Sequence, residues 1–463
     1  MSDLKSSEIF SPRVFGCYES VPVSSHPYLC SRVLFRGSGK SSSGEQGNEL
    51  LSYLKDGQTY LDKAPEERNA PRLSPVYCRV EHYCDSGGGA DAAAEDAAPP
   101  SSDVVTELLN SGCHVVYVSQ RFMSDGAYDS FPEERLGVAV PYQFILSGGV
   151  DALGDAGRRS TIIDFSGADE RAVQSVIDLL AQANASAGCE HDHLTEQADI
   201  VLLLPESSST SFVESLVPKL PENFTVSIKE APADTLSHFL SLQATTDRVD
   251  GLYTTVVTDE IGVALGLVYS SKESIRETLR QGYAVYYSRS RKGLWKKGAT
   301  SGNLQICRSI KLDCDGDAVN FTVCQLPKVR DAPAVQKGDF CHLNRYTCWG
   351  PSYGLSALEA TVLSRLANPT PGSYTNRIMS DPELLKNKLL EESLELLECN
   401  SPSHASEELA DVLYFALIKA CKEGVSYQDA AAVLERRRFK VTRRKGDSKK
   451  ERIQEAEKVL GGK

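Results

Sequence analysis

Three aspartates and a cysteine fall within five residues at Asp313-Cys314-Asp315-Gly316-Asp317, and Cys341-His342 and Cys348 follow downstream. Read as an extended segment, alternation places Asp313, Asp315 and Asp317 on one face and Cys314 on the other. Three carboxylates on one face repel one another unless a hard cation lies among them, and an all-oxygen set suits Mg2+. A calcium EF-hand loop is excluded: Ala318 replaces the glycine expected after the third acid, and Cys324 stands where the closing glutamate belongs. An acidic turn at a strand edge is the alternative on spacing alone. Three thiolates with an open fourth position would make a catalytic zinc site, which lowers the pKa of a bound water toward ~7. Cys314 points away from the acid face, so joining it to Cys341 and Cys348 needs a particular fold or another subunit. Three separate buried thiols are the alternative.

A second carboxylate set lies further on. ELLKNKLLEESLELLE (383–398) has helical periodicity, with Leu390, Leu394 and Leu397 on one side and Glu391, Glu392 and Glu395 on the other. Taken alone, this reads as a solvated acidic face. In EELADVLYFALIKA (407–420), Glu408 and Asp411 are one turn apart, with Val412 and Phe415 on the same arc. That segment is apolar nearly all round, which predicts burial. Buried carboxylates are costly unless cations compensate them. An E-E-x-x-E set followed by E-x-x-D on a partner helix therefore suits Mg2+ held between helices, where it would bind a triphosphate and polarise water.

The elements that must position these groups divide the chain by texture into a multidomain α/β + α protein. Residues 1–245 mix apolar segments with loops rich in small residues, GSGKSSSGEQGN (37–48) and DSGGGADAAAEDAAPPSSD (85–103). HVVYVS (114–119), STIIDF (160–165), ADIVLLL (198–204) and FTVSI (224–228) predict buried strands, and ERAVQSVIDLLAQA (170–183) predicts a helix between two of them. That order suggests a parallel β/α arrangement. A strand-rich block follows from Val249 to about Trp349. From Asp381 onward the pattern is helical, and the tail ERRRFKVTRRKGDSKKERIQ is strongly basic.

At 463 residues the chain exceeds what one core usually supports. A formal net charge of −13 argues against a nucleic-acid footprint. No apolar run approaches the ~20 residues needed to span a bilayer, and the N-terminus lacks the apolar stretch of a secretory signal. Thirteen cysteines without such a signal argue against a disulfide framework. A cytoplasmic protein without membrane or nucleic-acid partners is expected. Two motifs are set aside. GSGKSS (37–42) has Leu34 where a phosphate-binding P-loop needs glycine. CEHDH (189–193) sits in a polar connection with no partner cluster.

YYSRSRKGLWKKGATSGNLQ (286–305), DCDGD (313–317) and FCHLNRYTCWG (340–350), in that order, resemble phosphoribosyl-AMP cyclohydrolase. The resemblance implies zinc on Cys314, Cys341 and Cys348, magnesium on Asp313, Asp315 and Asp317, and a zinc site shared across a homodimer. Water would attack C6 of the N1-ribosylated adenine and open the ring between N1 and C6. His342, beside a ligand, is placed to move a proton. Arg289, Arg291, Lys297 and the turn Thr300-Ser301-Gly302-Asn303 would bind phosphate. One departure is the long stretch LPKVRDAPAVQKGD between Gln325 and Phe340.

SYTNRIMSDPELLKNKLLEES…EELADVLYF (373–415) resembles phosphoribosyl-ATP pyrophosphohydrolase, within a wider group of all-α nucleotide pyrophosphatases. The resemblance carries Glu391, Glu392, Glu395, Glu408 and Asp411 over as catalytic carboxylates, the last four also as Mg2+ ligands. Phe415 stands where a histidine often occurs. The tandem is similar to the fungal-type multifunctional histidine-biosynthesis family, with Lys463 leaving no room for a histidinol dehydrogenase domain.

The expected layout is a degenerate β/α domain of unknown role (1–245), a strand-rich α+β cyclohydrolase domain (246–355) and an all-α pyrophosphohydrolase domain with a basic tail (356–463). The implied protein is a nucleotide-binding, ATP-binding bifunctional hydrolase of histidine biosynthesis using Zn2+ and Mg2+. Its rivals are a housekeeping all-α nucleotide pyrophosphatase, disfavoured by the cyclohydrolase block, and a non-catalytic scaffolding paralogue, disfavoured by intact ligands in both halves.

Overall fold

The computed structural model describes residues 14–18, 33–37, 76–80, 100–149, 159–186, 199–205, 207–220, 224–229, 231–326, 338–351, 353–438, 440–442 and 453. Residues 38–48, 85–99, 189–193, 327–337 and 443–452 lie outside them. These hold most of the small-residue loops, the CEHDH segment, the long departure before Phe340 and much of the basic tail.

Parallel strands buried on both faces read as continuous apolar runs, and the first part of the chain is made of them. Eight strands pair in parallel in chain order: β1 (Val14–Tyr18), β2 (Val33–Gly37), β3 (Val76–Val80), β4 (Val115–Ser119), β5 (Leu136–Pro141), β6 (Thr161–Asp164), β7 (Ile200–Leu204) and β8 (Phe224–Lys229). Strand β8 returns to β1, with Val226 opposite Val14, so the expected parallel β/α arrangement is a closed barrel. Every residue of β7 is buried. Along β5 the faces alternate: Ala139 joins Tyr117, Ile162, Val201 and Leu203 in one cluster, while Val138 and Val140 join the surrounding helices in another. Tyr117 is fully buried, and a Cβ at Gly137 would lie 2.4 Å from its ring, so only glycine fits there.

Helices α1 (Ser102–Asn110), α2 (Glu170–Ser186), α3 (Thr210–Leu216) and α4 (Ala233–Gln243) accompany these strands. Val173, Val176 and Ile177 of α2 and Val213 and Leu216 of α3 pack with Ile163, Leu202 and Leu204.

The next unit is a four-stranded sheet in the order β10-β9-β14-β13, comprising β9 (Tyr253–Asp259), β10 (Ala264–Ser270), β13 (Gln305–Leu312) and β14 (Ala318–Gln325). β9 and β14 run parallel and the outer pairs antiparallel. Helix α5 (Lys272–Gln281) starts at a reciprocal Ser271–Ser274 cap and ends at Gly282. It packs beside the two-stranded hairpin of β11 (Val285–Ser288) and β12 (Gly293–Lys296). Tyr286, Phe321, Ile310, Val257 and Leu265 fill the core. The aspartate segment is not extended, as the alternation argument assumed. It is the five-residue connection between β13 and β14, turned at Gly316, whose φ is +80°.

Helical structure begins at Gly354, earlier than the expected Asp381. Helices α6 (Gly354–Ala367) and α7 (Tyr374–Ser380) precede α8 (Pro382–Glu398), α9 (Pro402–Lys422) and α10 (Tyr427–Arg438). Asp381 is the N-cap of α8, accepting from the amides of Glu383 and Leu384. Val362, Ile378, Leu385, Phe415, Leu417 and Ile418 form the core. No helix among the described residues is long and apolar enough to cross a membrane.

Candidate active sites

The helical unit brings Glu392, Glu395 and Glu408 together, with one carboxylate oxygen of each within 4.8 Å of the others. This reverses the orientation that residues 383–398 suggest when taken alone and agrees with the two-helix arrangement. Glu392 is 5% exposed, whereas Leu394 and Leu397 are 40% and 81% exposed. The acids therefore turn toward α9 and the leucines toward solvent. Glu408 supplies the third corner from α9, as expected, and one of its oxygens is buried without a hydrogen-bond partner. Burial and the neighbouring Glu395 hold its carboxyl above the usual range. A buried carboxylate with an orphaned oxygen among like charges fits a hard cation. Asp411 is exposed and outside the converging set: it shares the face of Phe415 and Ile418, but the buried apolar residues of α9 all lie from Phe415 onward, with Leu409 46% exposed. Phe415 is a core residue in edge contact with Tyr374 and Tyr414.

Two neighbours of this set escaped the sequence reading. Lys388 places Nζ 2.8 Å from Glu391 and 2.6 Å from Glu392. Burial works against its charge, but the two carboxylates dominate and hold the ammonium above its ordinary value. His404 Nε2 lies 3.3 Å from Glu408. Both were legible as i,i+3 and i,i+4 partners of acids. Glu391 is thus an ion-pair partner of Lys388.

In the strand-rich unit, Asp313, Asp315 and Asp317 converge within 4.8 Å. Asp313 and Asp315, close beside it, raise the Asp317 carboxyl above the ordinary range. Such mutual repulsion is what a divalent cation relieves. Cys341 is buried and neighbours Cys348, whose thiol is raised first by burial and then by that neighbour. The Leu343 amide donates to the Cys341 sulfur at 3.5 Å, and the Cys348 amide donates to the Leu265 carbonyl at 2.7 Å. Cys314 lies in the aspartate turn with its sulfur 4.0 Å from Asp315, and it does not join the other two thiols within one chain. Soft, backbone-supported sulfurs fit zinc, and one chain assembles two of the three.

The phosphate set divides. Arg291, Thr300, Ser301 and Gly302 are exposed, and exposed Arg289 stacks 4.1 Å over Tyr269. Lys297 is buried, its ammonium depressed by that burial, and Nζ donates to the Phe340 carbonyl at 2.6 Å. Buried Asn303 accepts from the Asp339 amide. These two tie the strand block to the cysteine loop. His342 is exposed, with Nδ1 4.0 Å from the Cys341 sulfur.

The cysteine loop has a further anchor. The Tyr346 hydroxyl donates to Asp259 at 2.6 Å, and Asp259 is 2% exposed. Burial and that carboxylate push the phenol well above its usual range. Tyr346→Phe should destabilise the chain by about 1–3 kcal/mol, because Asp259 stays buried with one donor fewer. Urea unfolding of the two proteins measures this, and equal midpoints and slopes would refute it.

A thiol- and aspartate-bearing α+β unit followed by a helical unit with converging glutamates defines the class: a cyclohydrolase-type unit in tandem with a nucleotide pyrophosphohydrolase-type unit. Residues 266–350 match the family described as phosphoribosyl-AMP cyclohydrolase, and residues 355–438 match phosphoribosyl-ATP pyrophosphohydrolase. The chain is 45% identical over 239 residues to the histidine biosynthesis bifunctional protein his7 of Schizosaccharomyces pombe, covering 51% of this chain and 55% of that protein. It is 34% identical over 360 residues to a histidine biosynthesis trifunctional protein of Candida albicans, covering 75% and 39%. With the histidine biosynthesis bifunctional protein HisIE of Pyrococcus furiosus it shares 32% over 211 residues, covering 42% of this chain and 96% of that protein. The chain belongs to this bifunctional histidine-biosynthesis family. It spans about half the length of the Schizosaccharomyces protein and less of the trifunctional ones.

Proposed function

We propose that this chain hydrolyses phosphoribosyl-ATP to phosphoribosyl-AMP and pyrophosphate in its helical unit, then opens the adenine ring of phosphoribosyl-AMP in its strand-rich unit. The observation that carries this reading is the coincidence of each converging ligand set with the segment matching one of the two families. Glu392, Glu395 and Glu408 would hold Mg2+, which when bound neutralises triphosphate charge and polarises water. Lys388 keeps Glu391 and Glu392 in place through its two ion pairs. His404 does the same for Glu408.

In the other unit Cys341 and Cys348, with Cys314 of a second copy, would hold zinc, which supplies water as a nucleophile at neutral pH. Asp313, Asp315 and Asp317 would hold Mg2+. Water adds to C6 of the purine and the bond from N1 to C6 breaks. His342, exposed beside Cys341, moves the proton from that water toward N1. Arg289, Arg291 and the exposed Thr300–Gly302 turn bind phosphate, while Lys297 and Asn303 hold the cysteine loop in place.

A homodimer follows from the divided thiols. Leu343 and Trp349, 61% and 63% exposed, flank the cysteine loop, and Leu394, Leu397 and Leu409 are exposed on the two glutamate-bearing helices. Faces like these suit a second copy. Sedimentation at micromolar concentration should give twice the chain mass, and a zinc-replete, active monomer would refute the shared site. The setting is cytoplasmic, where reduced thiols remain available as ligands. Expression in two histidine auxotrophs, each lacking one activity, tests the function: growth of both is expected, and growth of neither would overturn it.

A further inference from the structure

The barrel's last helix is not confined to the barrel. Phe239 of α4 packs in the barrel's outer core, whereas Leu236, Leu240 and Ala244 belong to the core of the strand-rich unit, with Leu265, Ile275 and Phe321. A polar chain fixes the same helix against its neighbours. His238 Nε2 meets Glu214 of α3, and Lys272 of α5 approaches His238 Nδ1 at 2.7 Å. The packing therefore sets where the C-terminus of α4 lies.

That C-terminus abuts the aspartate turn. The Thr245 amide donates to the Gly316 carbonyl at 2.7 Å. A Cβ at Gly316 would stand 2.5 Å from the Gln243 carbonyl oxygen, so the turn runs hard against the helix end. Gly316 lies between Asp315 and Asp317, and a one-residue displacement there would move both carboxylates. Beyond Thr245 the connection is itself stiffened: the Thr246 hydroxyl donates to the Leu252 carbonyl at 2.8 Å and accepts from the Arg248 amide.

We infer that α4 and the Thr245 amide position the Asp313–Asp317 turn for its cation, so that the barrel serves the ring-opening site as a buttress. The inference rests on the reading of that turn as a divalent-cation site. Thr245 is a positioning residue, since it reaches the cation only through the turn. None of the barrel's described residues joins either carboxylate set, yet its last helix supplies one wall of the neighbouring core and the residue after that helix's C-cap one hydrogen bond to the aspartate turn.

The test is Mn2+ binding, followed by electron paramagnetic resonance on the full chain carrying Glu408→Gln, which silences the helical site. Thr245→Pro removes the donated N–H, and the preceding Ala244, at φ −79° and ψ 129°, already has the extended conformation that proline requires of its neighbour. Thr245→Ala keeps the N–H. Thr245→Pro should weaken Mn2+ binding about fivefold, the effect of one typical hydrogen bond, and Thr245→Ala should match the parent. Equal Mn2+ affinity in the two variants would overturn the inference. Asp315→Asn tests the underlying reading separately: if it binds Mn2+ like the parent, the turn is not the metal site at all. Should Thr245→Pro fail to fold, hydrogen exchange in Leu240→Ala decides the matter. Faster exchange of amides 313–318 with barrel strands unchanged supports the buttress, and unchanged exchange in the turn refutes it.

Discussion

Glu408→Gln will abolish pyrophosphate release from phosphoribosyl-ATP, by roughly a hundredfold or more, since even outer-shell partners of a metal commonly matter 10–100-fold. Ring opening of supplied phosphoribosyl-AMP should stay within about twofold. The asymmetry follows from geometry. Glu408 is the only corner of the triad contributed by α9, and its orphaned oxygen has no protein donor to satisfy it. Glutamine keeps the volume but removes the charge that draws a cation between the helices. The amide also brings donors toward Glu392 and Glu395, which substitutes a neutral bond for metal ligation. A paired assay of both reactions on the folded variant checks this, and equal loss of both would show that the two sites are not autonomous.

Cys341→Ser should have the opposite effect, with loss of most bound zinc and a fall of ring opening by roughly a hundredfold or more, while pyrophosphate release persists. A serine hydroxyl remains protonated at neutral pH and is a poor zinc ligand. Cys341 is buried and takes the Leu343 amide on its sulfur, so its position is fixed by the loop backbone. Elemental analysis of the purified variant should show zinc well below one per chain. Retention of full zinc and full ring opening would place the ligands elsewhere.

Much of this was legible because local patterns carried it. β4, β6, β7 and β8 appear as apolar runs, since strands covered on both faces have no polar side to interrupt them. β5 was hidden by its composition: LGVAVP carries Gly137 and Pro141, residues that usually punctuate strands. Barrel closure was not readable, because pairing Val14 with Val226 is a non-local fact with no local signature. The Asp-Gly pair at 315–316 between two alternating segments is a hairpin signal, and it overrides the extended conformation that the alternating acids suggest.

The helical carboxylates are legible only from two helices together. Amphipathic logic applied to residues 383–398 alone sends Glu391, Glu392 and Glu395 to solvent, whereas the second acid set on an apolar partner helix points them between the helices. The structure buries Glu392 and exposes Leu397. An inverted amphipathic pattern of this kind is where sequence rules and a functional site part company. Cys314 stands apart from Cys341 and Cys348 within one chain because the segment turns at Gly316, not because of strand alternation.

The central claim is that one chain performs both reactions in sequence. Supplying the purified, Mg2+- and zinc-replete protein with phosphoribosyl-ATP alone, and following pyrophosphate and ring-opened product together, tests it most directly. The account predicts one ring-opened molecule for each pyrophosphate released, with phosphoribosyl-AMP appearing only in passing. Pyrophosphate release with phosphoribosyl-AMP accumulating unopened, or no release at all, would contradict it.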